Sequence, residues 1–93
     1  MDFRRHLFLI FKELLNNVFK HARASQVAIA LTKQNGRLIL KVKDDGVGFD
    51  PAAMHNGNGL ANMKMRARKL NGHIEFQRPA EGGSEATLTV KIP

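Results

Sequence analysis

From Phe3 to Ala22 the apolar residues fall at Phe3, Leu7, Ile10, Phe11, Leu14, Val18 and Ala22, with Phe8, Leu15 and Phe19 flanking them. This is helical spacing over about five turns, with neither Pro nor Gly to break it. The stripe is wide, which predicts packing on more than one side. From Ser25 to Lys33 the period changes to two: Val27, Ile29 and Leu31 alternate with Gln26, Ala28, Ala30 and Thr32. Gln34-Asn35-Gly36 reads as a turn, and Arg37 to Lys43 alternates again with Leu38, Leu40 and Val42 on one face. Two alternating runs around Asn-Gly predict a β-hairpin.

Asp44 to Gly59 is rich in glycine and polar residues and reads as an irregular loop of a length associated with function. Leu60 to Leu70 has helical spacing at Leu60, Met63, Ala67 and Leu70, and Asn71-Gly72 supplies a stop. His73 to Gln77 and Glu85 to Ile92 read as two further strands around a turn at Pro79 to Gly83. The order helix, strand, strand, loop, helix, strand, strand predicts an α+β two-layer sandwich, with helices covering one face of a mostly antiparallel or mixed sheet.

Ninety-three residues make one domain, 1–93, and the composition is that of an ordinary globule, with 43% hydrophobic and 25% charged residues. Charge changes the picture more: fifteen Lys and Arg against eight Asp and Glu leave a net charge of +7. An anionic partner is expected, although charge alone does not choose among nucleic acid, membrane and phosphate. The chain has no cysteine, which excludes disulfides, thiol nucleophiles and Cys-ligated zinc. No run approaches the roughly 18 apolar residues of a membrane span. A cytoplasmic domain is the expectation.

Three segments can carry chemistry. Glu13, Asn17 and His21 stand at i, i+4 and i+8 on one face of the first helix, with Lys20 beside them. Hard oxygen donors and cations on one stripe suit a magnesium ion with attached phosphates. The solvated face of any amphipathic helix has the same spacing, and taken alone that is the commoner explanation. Asp44-Asp45-Gly46-Val47-Gly48-Phe49-Asp50 follows directly on a strand. Its glycines let backbone approach a ligand, and an Asp at the strand end can accept a hydrogen bond from an exocyclic amine such as adenine's. A tight Asp-Gly turn is the plainer alternative, but it leaves Gly48 unexplained. Gly57-Asn58-Gly59-Leu60 opens the second helix, where unpaired N–H groups and the helix dipole favour anions; an ordinary cap at Asn58 is the alternative. There is no P-loop, no GxGxxG and no His-Glu-x-x-His, and the four histidines are dispersed.

Taken in order, these segments resemble the ATP-binding domain of the GHKL superfamily, named for gyrase, a heat-shock chaperone, histidine kinases and MutL. Glu13 to Ala22 resembles its N box, Asp44 to Phe49 its G1 box and Gly57 to Leu60 its G2 box. Lys20 to Ser25, the short loop between the glycine boxes and the ending Gly82-Gly83-Ser84 are similar to bacterial two-component sensor histidine kinases, in particular the nitrate-sensor and desaturase-sensor subgroup. The resemblance implies a Bergerat-type ATP-binding fold and Mg-ATP as ligand. By it, Asn17 would ligate Mg²⁺, Glu13 would act on the reacting groups, and Lys20 and His21 would contact phosphates. Asp44 would bind the adenine amino group. Gly46, Gly48, Gly57, Gly59 and Leu60 would shape the pocket and its lid, and Ser84 would lie near adenine.

The implied reaction is transfer of the γ-phosphoryl group to a histidine on a separate dimerisation domain of the parent kinase, with a response regulator acting downstream. No such phosphoacceptor helix pair is recognisable here, and the strand that usually precedes the N box in the family has no counterpart. The chain therefore reads as an N-terminally truncated fragment of a longer sensor kinase, one that can be membrane-anchored. Self-association through an open sheet edge is a further expectation. Two competing readings remain. One is a GHKL serine kinase of the anti-sigma-factor type. The other is a basic nucleic-acid-binding module, which has little beyond charge because Tyr and Trp are absent; no nucleic-acid partner is expected.

Overall fold

The computed structural model describes residues 3–18, 25–46 and 59–93, with backbone alone at 17, 59 and 60. The elements are α1 (Phe3–Asn17), β1 (Val27–Gln34), β2 (Arg37–Asp44), α2 (Gly59–Lys69), β3 (Gly72–Gln77) and β4 (Ser84–Lys91). The four strands form one sheet in the order β1-β2-β4-β3, and every neighbouring pair is antiparallel. The expected extension of the first helix to Ala22 lies outside the described residues.

Asn35 and Gly36 both take positive φ, 53° and 74°, the two-residue turn whose twist matches that of antiparallel strands. It sets the β1–β2 register from Gln34 opposite Arg37 to Val27 opposite Asp44. β4 lies beside β2 with Leu38 opposite Val90, Leu40 opposite Leu88 and Val42 opposite Ala86. These residues face the helices. Ile10, Leu14 and Val18, Met63 and Ala67 from α2, and Leu70 just after it close over them, and Ile74 of β3, opposite Leu88, extends the floor of the same buried cluster. Ala28, Lys41 and Thr87 belong to the opposite, outer rows.

The stop after α2 divides its work between two residues. Asn71 takes the left-handed conformation at φ 56°, whereas Gly72 already belongs to β3. A Cβ at Gly72 would collide with the Thr89 carbonyl oxygen and with Val90, so the glycine is required by close approach of β3 to β4.

One expectation changes. Ile29 and Leu31 lie on the helix-facing row of β1, yet they are 50% and 59% exposed, and Phe8 on α1 is 60% exposed. The two helices cover β2, β4 and β3, and β1 extends beyond their shelter. The broad stripe of α1 therefore buries Ile10 and Leu14 and leaves Phe8 uncovered among the described residues.

Burial decides how substitutions act. Leu88, fully buried in the central strand, should lose about 2–5 kcal/mol of stability on Leu88→Ala, whereas Leu31→Ala should stay within about 0.5 kcal/mol. Urea unfolding followed by circular dichroism measures both.

Candidate functional site

The helix-facing row of β2 and β4 is apolar until its last pair. There Asp44 stands opposite Ser84, and the two are 3% and 2% exposed, the buried polar side chains among the described residues. A buried carboxylate is costly without partners. The Gly46 amide donates to Asp44 Oδ1 at 2.9 Å, which turns the chain sharply as it leaves β2. Behind Asp44 lies Gly83, at φ 80°, where a Cβ would strike the Asp44 carbonyl oxygen. Three expected site residues, Asp44, Gly46 and Ser84, are thus brought together at one end of the sheet.

Asp45 performs a different task. Its Oδ1 accepts from the amides of Ser25 and Gln26, each at 2.9 Å, and its Oδ2 accepts from Ser25 Oγ at 2.6 Å. The Asp45 amide donates back to the Gln26 carbonyl at 3.2 Å. The Ser25 hydroxyl first, and then the backbone donors, stabilise the ionised form and hold the carboxyl below its ordinary pKa. One carboxylate so ties the segment entering β1 to the segment leaving β2.

Glu13 lies in a groove of about 370 Å³ between α1 and α2, with Lys12 and Asn16 on its own helix and Asn62, Met63 and Arg66 across from it. Gly59 and Leu60 are the first two residues of α2, so the glycine-rich run does open a helix. Asn17 is the last residue of α1, one turn after Glu13. Lys20, His21, Gly48 and Gly57 lie outside the described residues. A second cavity, about 220 Å³, includes the outer-face pair Ala28 and Lys43, where Lys43 Nζ donates to Glu81 Oε1 at 2.9 Å. The Asp44 carboxylate belongs to the opposite, helix-facing row.

Two contributors were given no individual role on sequence grounds. Gly83 was visible only as part of a Gly-Gly-Ser run, and its close approach to Asp44 crosses between strands far apart in sequence. Asp45 sits next to Asp44 in the same motif, and the signal that separates them is parity. In a strand, neighbours point to opposite sides, so only one of two adjacent carboxylates can face the helices.

A two-layer α+β domain with a buried Asp-Ser pair at a strand end and a helix that opens on glycine defines the class. The sequence profile described as histidine kinase-, DNA gyrase B-, and HSP90-like ATPase matches residues 3–93. The chain belongs to that family. It is 39% identical over 89 residues to the sensor histidine kinase LiaS of Bacillus subtilis (strain 168), covering 95% of this chain and 24% of LiaS. It is 33% identical over 85 residues to the nitrate/nitrite sensor protein NarX of Escherichia coli (strain K12), covering 90% of this chain and 14% of NarX. The ATP binding domain of PrrB from Mycobacterium tuberculosis shares the fold, with a TM-score of 0.80 at 20% identity over 96% of this chain and 68% of that one. The Acinetobacter baumannii histidine kinase AdeS does so with a TM-score of 0.81 at 22% identity, over 96% and 47% respectively. The chain spans a quarter or less of the length of these curated relatives.

Two adjacent glycines separate strain from crowding. Gly82, at φ 104°, has open space at the Cβ position, whereas Gly83 also meets Asp44. Gly82→Ala should cost about 1 kcal/mol from backbone conformation alone, and Gly83→Ala clearly more, as read from urea midpoints. For Asp45 the folded pKa lies below the unfolded one, so its stabilisation is complete above the ordinary value of about 3.9 and is lost as pH falls through the lowered one. Stability should decline on acidification below about pH 5, and Asp45→Asn should flatten that decline in pH-dependent thermal melts.

Proposed function

We propose that this chain is the ATP-binding catalytic domain of a cytoplasmic sensor-kinase region, taking Mg-ATP and passing its γ-phosphoryl group to a histidine on a separate dimerisation domain of the parent protein. The observation that carries the reading is the Asp44–Ser84 pair. A carboxylate buried at the end of an otherwise apolar row, its backbone backed by a glycine, suits recognition of a flat apolar base through an exocyclic amine. Family membership supplies ATP as the ligand.

In this reading Asp44 accepts from the adenine amino group, and Ser84 stands beside it. Gly46 and Gly48 admit the backbone close to the base. Gly57, Gly59 and Leu60 form the lid leading into α2, whose N-terminal amides favour the phosphates. Lys20 and His21 meet phosphate oxygens. The donor chemistry of α1 fits a magnesium ion: Asn17, one turn after Glu13, is a residue type whose amide oxygen is a hard ligand. Bound there, Mg²⁺ supplies charge neutralisation on the triphosphate. Glu13 orients the incoming imidazole and takes up its proton, from a groove where Lys12 and Arg66 hold positive charge nearby.

The described parts of α1 and α2 carry seven cationic side chains and one carboxylate, while the strands and their connections carry six against five. The excess charge thus belongs to the helical layer, which supports an acidic partner domain facing that side.

Titration with a fluorescent ATP analogue tests the assignment. Asp44→Asn should weaken binding roughly 10- to 100-fold, the value of a hydrogen bond to a buried charged acceptor. Unchanged affinity would refute the adenine role. Wild type should bind more tightly with Mg²⁺ than without it, and Asn17→Ala should remove that difference. Radiolabel transfer to a histidine-bearing helical domain, and none to a serine-bearing antagonist, separates the histidine kinase from the serine kinase.

A further inference from the structure

The Asp44 side chain is buried, and the Gly46 amide donates to its Oδ1 at 2.9 Å. A carboxylate carries about four lone-pair sites, so one main-chain donor orients the group without exhausting it. Once Oδ1 is held by main chain, the carboxyl plane turns only within narrow limits, and a hydrogen bond to a flat base tolerates little misalignment. The aim of Asp44 therefore depends on whatever fixes the Gly46 amide.

The sheet fixes the Asp44 backbone but not that amide. On one side β4 holds Asp44 through its pairing with Ser84, with Gly83 close against the Asp44 carbonyl; on the other side β1 holds it through Val27. Both strand registers end at this residue. Gly46 lies beyond them, and Asp45 alone separates the two. The Asp45 amide donates to the Gln26 carbonyl at 3.2 Å, its Oδ1 accepts from the Ser25 and Gln26 amides at 2.9 Å each, and its Oδ2 accepts from the Ser25 hydroxyl at 2.6 Å. Neighbours along a strand point to opposite sides, so this second carboxylate is turned away from the helix-facing row and is engaged by protein donors.

We propose that Asp45 is a positioning residue for base recognition: by clamping the first step beyond β2 to Ser25 and Gln26, it delivers the Gly46 amide to Asp44 Oδ1 and so aims the Asp44 carboxylate at an exocyclic amine. This role rests on the reading of Asp44 as the acceptor of the adenine amino group. Asp45 itself touches no nucleotide, and it governs which base is preferred rather than how firmly phosphates are held. When its side chain is removed, the Asp44 backbone keeps both strand partners; the strand stays in place and the aim is lost.

Competition titrations of the whole chain against a fluorescent ATP analogue, with two unlabelled nucleotides, separate aim from stability. ATP carries the 6-amino group, whereas purine riboside triphosphate has hydrogen in its place and donates nothing to Asp44. Wild type should prefer ATP by at least about tenfold, the value of a hydrogen bond to a charged acceptor. Asp45→Ala should lower that preference at least about threefold by weakening ATP, with the affinity for purine riboside triphosphate changed by less than about twofold. Asp45→Asn, whose side-chain oxygen can still accept from the two amides, should restore most of the preference. Ser25→Ala removes the hydroxyl bond only and should lower the preference about twofold, with a native circular dichroism spectrum. Equal weakening of both nucleotides by Asp45→Ala, or a preference it leaves unchanged, overturns the proposal; where that variant does not fold, an unchanged preference in Ser25→Ala overturns it. Asp44→Asn tells the two levels apart. If it abolishes the preference and Asp45→Ala keeps it, the positioning role alone fails; if it leaves the preference intact, the adenine reading fails as well.

Discussion

Pairing of β2 with β4 aligns one row of side chains beneath the helices, and that row changes character along its length. Leu38 with Val90, Leu40 with Leu88 and Val42 with Ala86 give the helices an apolar floor; Asp44 with Ser84 ends it in oxygen atoms. The stabilising part of the domain and the polar pair proposed to meet the nucleotide are thus consecutive steps of a single ladder. A one-residue slip would send Asp44 to the solvent face and the leucines with it, so any force that preserves the core also preserves the site. The helices share that row's cluster, where Ile10, Leu14, Met63 and Ala67 are buried together with Ile74 of β3.

Much of this was legible in the chain because the signals were local. The period-two runs around Asn35-Gly36 marked the hairpin, helical spacing located α1 and α2, and Asp44 stood out as a carboxylate at a strand end. What escaped depended on contacts between distant segments. Periodicity marks Ile29 and Leu31 as inward-facing, and they are, but it does not say how far the helices reach across the sheet. Asn71-Gly72 looked like one helix stop, yet the two residues answer to different demands, one conformational and one steric. Gly83 matters because of Asp44, nearly forty positions away. The order of the three motifs carried the family, and the profile match over residues 3–93 agrees with it.

Charge is arranged by layer as well. The helices hold most of the positive excess, whereas the outer strands and turns are nearly balanced, with the Lys43–Glu81 pair at their surface. A field concentrated on one layer acts over about a Debye length, so it orients an approaching acidic molecule before any contact is made.

Asp45, the first residue after β2, bonds to Ser25 and Gln26, the residues that precede β1. Both stretches that adjoin this knot in sequence, 19–24 and 47–58, contain residues proposed to meet the nucleotide. Their roots are therefore fixed to each other independently of their lengths or compositions. Loop closure grows slowly with length, so either stretch can be extended or exchanged while its points of departure stay in place. On the proposed reading the domain is in this sense a socket: diversification of the two stretches would retune what is gripped, and how quickly it is let go, without renegotiating the sheet.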